Sequence, residues 1–180
     1  GLAWAILGYA EQLEFLDAGH GRRAGRANER PPAAADAGRD LEASRALFLE
    51  AARATADFYL AHTCADGIPM WDTGAPHLHR LGDYASQPAD PFNDWEPVDS
   101  SAAAIAGQGL VRLGNYLTRR GDAKAGGRYR QAGLTVANTL FDEPYLSTRP
   151  RHQGLLLHSI YHRPNGWDYA PPGARTPRGE

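Results

Sequence analysis

Three indoles in this chain each sit beside an acid: Trp71-Asp72, Asp94-Trp95-Glu96 and Trp167-Asp168. An indole face stacks on the apolar face of a sugar ring, and an adjacent carboxylate accepts from its hydroxyls. Cleavage of a glycosidic bond wants a proton donor and usually a second carboxylate, about 5 to 9 Å away. By position the acids to consider are Asp72, Asp94, Glu96, Asp99 and Asp168. Each also has a structural reading. A tryptophan can plug a core, Asp99 stands where it would cap a helix, and Asp72 suits a turn acceptor. The sequence alone does not say which acids face one another.

Histidines form a second group. His77 and His79 are two apart; His158 and His162 are four apart, with Tyr161 between them. No HExxH spacing occurs, and a metal would need the pairs to converge with a carboxylate, so no metal site is expected. His158, Tyr161 and His162 suit hydrogen bonding to an anionic or hydroxylated ligand, or a structural network. Cys64 is the only cysteine, which excludes an intrachain disulfide and fits a buried thiol. GxSxG, GxGxxG and Walker patterns are absent, and no cofactor is implied.

Four helices are expected to position these residues. The first covers about 1 to 17, with Leu2, Ile6, Leu7, Leu13 and Leu16 on a helical period and Gly19 and Gly21 ending it. Residues 19–40 have almost no large apolar side chain and read as a flexible insert. Its arginines could meet an anion or simply be solvated. The second helix runs from Asp40 to His62, on the repeat Leu47, Ala51, Ala54, Phe58 and Ala61, and Asp66-Gly67 turns the chain. Residues 73–98 contain Pro76, Pro88, Pro91 and Pro97, so they form a long loop of the kind that rims a cleft. Asp99 or Ser100 caps a third helix, about 100 to 119, whose Ala and Gly residues permit close approach of a neighbour. A fourth helix spans about 124 to 141 and Pro144 closes it. The fold class is all-α, in helical hairpins of toroid or solenoid spacing.

The 180 residues, 42% hydrophobic and 22% charged, suit one globular domain. Net charge −2, from 19 basic and 21 acidic residues, offers no global field for nucleic acid or an anionic membrane. No run of about eighteen apolar residues suggests a membrane span. The opening GLAWAILGYAEQLEFL lacks a basic leading region and reads as helix rather than signal peptide.

Four stretches in order resemble the unsaturated glucuronyl hydrolases, family 88 of the glycoside hydrolases, with the rhamnogalacturonyl hydrolases as structural cousins. GLAWAILGYAE is similar to the family's Gly-Gln-Ala-Trp helix start, with Leu2 in place of the glutamine. DFYLAHTCADGIPMWDTGAP resembles its helix, turn and Trp-Asp segment, VDSSAAAIAGQGLVRLG its Arg-Asp-Ser-Ser-Ala-Ser-Ala-Ile helix, and QGLLLHSIYH its Ser-Tyr-His segment. The resemblance implies an (α/α)6 barrel, of which residues 1–180 would be the C-terminal part. It implies hydrolysis of unsaturated uronic acid residues from the non-reducing end of lyase-generated oligosaccharides, by hydration of the vinyl ether with an aspartate moving the proton. It implies no metal or cofactor, and a partner that is an oligosaccharide rather than nucleic acid or membrane. By the same match Trp4, Tyr161 and His162 would bind substrate, with Trp95 added from its indole–acid pair. Asp99, Ser100 and Asp72 would be structural. Val98 stands where the family has arginine. The family's two catalytic aspartates lie upstream of the Gly-Gln-Ala-Trp motif and match nothing here, so the catalytic residues are unassigned. This chain alone is then expected to be inactive and, with apolar flanks exposed, prone to aggregate. The alternative is a non-catalytic carbohydrate-binding or scaffold remnant of the barrel. The cytoplasm is the expected location, with the periplasm as the alternative.

Overall fold

A computed structural model describes residues 1–23, 33–152 and 155–160, with the side chains of 19–23 and 33–37 left aside. Among the described residues there are four α-helices: α1 Leu2–Arg23, α2 Ala33–His62, α3 Ser100–Arg119 and α4 Ala123–Leu140. There is no strand among the described residues, only two isolated antiparallel bridges, Met70 to Val98 and Leu146 to Leu156. The fold is all-α.

The helices form two hairpins stacked in the same sense. Within the first, Asp17 pairs with Arg45 at 3.2 Å, while Trp4 and Phe58 share the opposite end, so α1 and α2 are antiparallel. Between hairpins the pairs ascend together. Glu11 and Glu14 of α1 meet Arg112 of α3, and Glu14 also meets Arg119. Arg53 and Asp57 of α2 meet Asp122 and Arg128 at the start of α4, each at 2.6 Å. Hence α1 runs parallel to α3 and α2 parallel to α4, a hairpin repeat without a sequence repeat.

Glycines set the spacing. Gly107 lies opposite Gly133 and Gly114 opposite Gly126; a Cβ on Gly114 would stand 2.6 Å from the Arg130 amide nitrogen and 2.7 Å from the Gly126 carbonyl oxygen. A Cβ on Gly109 would stand 2.8 Å from the backbone of Leu7, so α3 touches α1 main chain to main chain. Ile6, Ala10, Leu13, Ala106, Leu110, Leu113 and Leu117 fill the space around these contacts.

Three expectations are corrected here. Helix α1 continues past Gly19 and Gly21 to Arg23, because glycine inside a helix costs only about 1 kcal/mol and does not stop it. Helix α2 begins at Ala33, so helix enters the 19–40 insert from both sides; residues 24–32 lie outside the described residues. The apolar repeat of α2 is also not its core face. Leu47 is 63% exposed and Phe58 43%, while Ala52, Ala56 and Tyr59 are buried. The face that packs is set by where α1 and α3 lie, and they lie on the other side.

A second, smaller core sits under the long loop. Cys64, Ile68, Met70, Val98, Val136, Leu140 and Tyr145 pack together, joined by Leu78, Leu81 and Tyr84 of the loop. Two 3-10 turns, Leu78–Leu81 and Tyr84–Ser86, shape that loop. Gly67 has φ +84, and a Cβ there would stand 2.5 Å from Val136 Cγ2, so the turn after α2 tolerates only glycine. Burial pushes the Cys64 thiol up to about 12, which keeps it protonated and inert near neutrality.

Candidate functional site

At the end where the parallel helices α1 and α3 begin and α2 finishes, the chain forms an open cleft of about 480 Å³. Trp4 on the first turn of α1, Phe58 and His62 on the last turn of α2, and Trp71 supply aromatic walls. Asp72 and Asp99 supply carboxylates, and Thr73 and Ser101 add hydroxyls.

Each wall follows from local sequence. Trp4 is 63% exposed because Ala3, Ile6 and Ala10 take the buried face of α1. Phe58 and His62 are four apart, so their rings stack on one helix face, 4.0 Å between centroids and 20° between planes. Trp71 is fixed by Glu96: its Nε1–H donates to Glu96 Oε2 at 2.6 Å. The other oxygen of Glu96 accepts from the His77 amide, also at 2.6 Å, and the side chain is 2% exposed. Glu96, one of the acids considered for chemistry, is therefore the buried brace of the rim loop.

Asp99 gathers three segments. Its Oδ1 accepts from the Ser101 and Ala102 amides, the Ser101 hydroxyl and the Ile160 amide. It is the N-cap of α3, and its own amide donates to the Pro69 carbonyl at 2.9 Å. Ser100 is buried, with its hydroxyl donating to the Leu157 carbonyl at 2.6 Å beside Ser159 Oγ. Asp72 holds an Asx turn, accepting from the Gly74 amide at 2.7 Å. Tyr59 also lines the cleft, but its hydroxyl donates to the Gly67 carbonyl and burial pushes its pKa upward, so it is a braced phenol rather than an acid.

Removing the Asp99 cap should be visible in stability. Asp99→Ala is expected to cost about 2 kcal/mol, and Asp99→Asn, which retains an acceptor oxygen, less than half of that. Urea unfolding of the two variants checks this, and equal loss in both would sink the capping account.

The sequence-expected residues divide as follows. Trp4, Asp72 and Asp99 share the cleft, and Ser100 lies beneath it. Trp95 is not part of the cleft lining: it stands on the rim loop, 40% exposed, with the Arg80 guanidinium 5.0 Å from its ring centroid. Tyr161, His162, Trp167 and Asp168 lie outside the described residues. His77 and His79 rings are 6.4 Å apart and tilted, and His158 meets Phe92 and Tyr145 edge-on. Among the described residues no group of three ligands could hold a metal. No helix among them is long and apolar enough to cross a membrane. Val98 is buried in the small core and brings no charge to the cleft. Sequence reading missed Phe58 and His62 as cleft residues, although their spacing of four at the end of a helix was a usable signal. No protein-family model, curated protein or solved structure matches the chain.

Proposed function

We propose that this chain forms part of an (α/α)6 glycosidase that removes unsaturated uronic acid residues from lyase-generated oligosaccharides, and that its cleft holds sugar. The observation that carries the reading is the gathering of Trp4, Trp71 and Phe58 with Asp72 and Asp99 around one cleft at the shared end of two stacked hairpins. Aromatic faces with carboxylates beside them suit a ring with an apolar face and a hydroxyl edge. The parallel stacking of hairpins is what a toroid of such units requires.

The proton-moving aspartate is not assigned to this chain. Asp99 Oδ1 already carries four hydrogen bonds, and Asp72 holds its own turn. Those engagements favour, as a second reading, sugar binding without turnover.

Both readings are tested with an unsaturated chondroitin disaccharide, following tryptophan fluorescence for binding and the ultraviolet absorbance of the vinyl ether for turnover. Trp4→Ala is expected to weaken binding about tenfold, the loss of one stacked ring face. Binding with steady absorbance would favour the second reading. No binding, or binding that ignores Trp4, would remove the sugar from this cleft.

A further inference from the structure

His62 ends α2 with its ring already oriented. Its Nδ1 lies 2.8 Å from the Phe58 carbonyl oxygen. A carbonyl oxygen only accepts, so Nδ1 carries the hydrogen and, in the neutral ring, Nε2 carries the lone pair. Stacking on the Phe58 ring, 4.0 Å between centroids and 20° between planes, fixes the same ring from its flat side. Nε2 is the ring nitrogen farther from the backbone, on an exposed residue that lines the cleft. Two contacts therefore hold the imidazole, and neither of them uses its outer nitrogen. The other groups of the lining that can carry charge near neutrality are the Gly1 amino group at the start of α1, Asp72 after α2 and Asp99 at the cap of α3. Tyr59 is the braced phenol.

We propose that His62 is a specificity residue of the cleft, and that its Nε2, once protonated, donates to the carboxylate of a uronate ring. On the carbohydrate reading above, on which this role rests, the aromatic walls take the apolar face of a sugar and the aspartates take its hydroxyls. Neither contact separates a uronate from a neutral sugar. A histidine does, because its charge changes between about pH 5 and 8. Neutral Nε2 accepts from a hydroxyl; protonated Nε2 donates to a carboxylate in a charge-assisted bond. The carboxylate of the ligand stays ionised throughout that range. The bond therefore forms as the pH falls and is lost as it rises. His62 holds the ligand and is assigned no proton transfer in a reaction.

The test titrates an unsaturated chondroitin disaccharide and its uronate methyl ester by tryptophan fluorescence, at about pH 5.5 and about pH 7.5. The unaltered chain is compared with His62→Phe and His62→Gln. Phenylalanine keeps a ring on Phe58, glutamine keeps a polar side chain in a good helix former, and neither titrates. Either variant that keeps the unfolding midpoint of the unaltered chain suffices. The unaltered chain should bind the acid about fivefold more tightly at the lower pH, and the ester equally at both. The variants should hold the acid with one affinity at the two pH values. A flat profile in the unaltered chain, or a pH response that survives the substitutions, would overturn the role of His62 while leaving sugar in the cleft. An ester that follows pH as the acid does would overturn the carboxylate as its partner. No binding of either ligand at either pH would remove the sugar cleft and this role together.

Discussion

Gly114→Ala is expected to destabilise the chain by about 3 kcal/mol, although it adds a single methyl to a helix and improves helix propensity. The added Cβ would lie 2.6 Å from the Arg130 amide nitrogen and 2.7 Å from the Gly126 carbonyl oxygen. Both are backbone atoms of α4, so no side chain can swing away; the whole helix must move. That movement would also disturb Gly107 against Gly133, because the two glycine pairs share one interface. A matched control lies on the same hairpin. A Cβ on Gly127 meets nothing within 4 Å, so Gly127→Ala is expected to stabilise by about 0.5 kcal/mol through propensity and a stiffer unfolded chain. Urea unfolding of the two variants gives opposite signs if the hairpin is packed backbone to backbone. Equal and small effects would mean that α3 and α4 stand further apart.

The α3 hairpin was the part of the fold most open to reading from sequence. Asp99-Ser100-Ser101 announces a cap, the Ala and Gly run announces close packing, and the helix begins and ends where those signals put it. These are local signals, carried by residues that also make the contacts. Helix α2 was legible in its existence and not in its orientation. A repeat at three and four identifies a helix, but two apolar stripes compete on this one, and Leu47–Phe58 is the more hydrophobic and the less buried. Which stripe packs depends on how α1 and α3 are placed against it, and α3 lies far away in sequence. The same limit applied to the acids. Asp72, Glu96 and Asp99 look alike as loop carboxylates. Only the fold separates a brace sealed between Trp71 and His77 from two residues that line a cleft. Likewise Trp71-Asp72 and Asp94-Trp95-Glu96 are the same pairing in sequence, yet the first lines the cleft and Trp95 stands outside its lining.

The long loop is the element that turns this helical scaffold into a site. It carries Leu78, Leu81 and Tyr84 onto the small core, so it is anchored by its own apolar residues rather than only by its ends. Asn93 closes one part of it, accepting from the Trp95 and Glu96 amides and donating to the Asp90 and Glu96 carbonyls. Asp66 closes another, accepting from the Ala89 amide at 3.0 Å. A loop so braced can hold an indole on a cleft wall at low entropic cost on binding.

Glu96 is where that bracing concentrates, and its replacement should have the largest effect on the loop. The carboxylate is 2% exposed and faces two neutral N–H donors, each at 2.6 Å. Short bonds to a charged acceptor are the strong kind, and removing the acceptor strands both donors in a dry site. Glu96→Leu is expected to cost about 4 kcal/mol, and Glu96→Gln about 2 kcal/mol. Glutamine keeps one acceptor oxygen but turns its amide hydrogens toward the second donor. The damage should be local. Hydrogen exchange at the His77 amide should rise sharply in both variants while the amides of α3 and α4 stay protected, because those helices are held by their own glycine contacts. Trp71 should become more accessible to a fluorescence quencher, and sugar affinity should fall with it if that indole is a cleft wall. Unchanged protection at His77 would mean that the loop is held by Asn93, Asp66 and its apolar anchors alone. The combination of a freed Trp71 with undiminished affinity would instead assign sugar binding to Trp4 and Phe58, on the helices, and leave the loop as a rim.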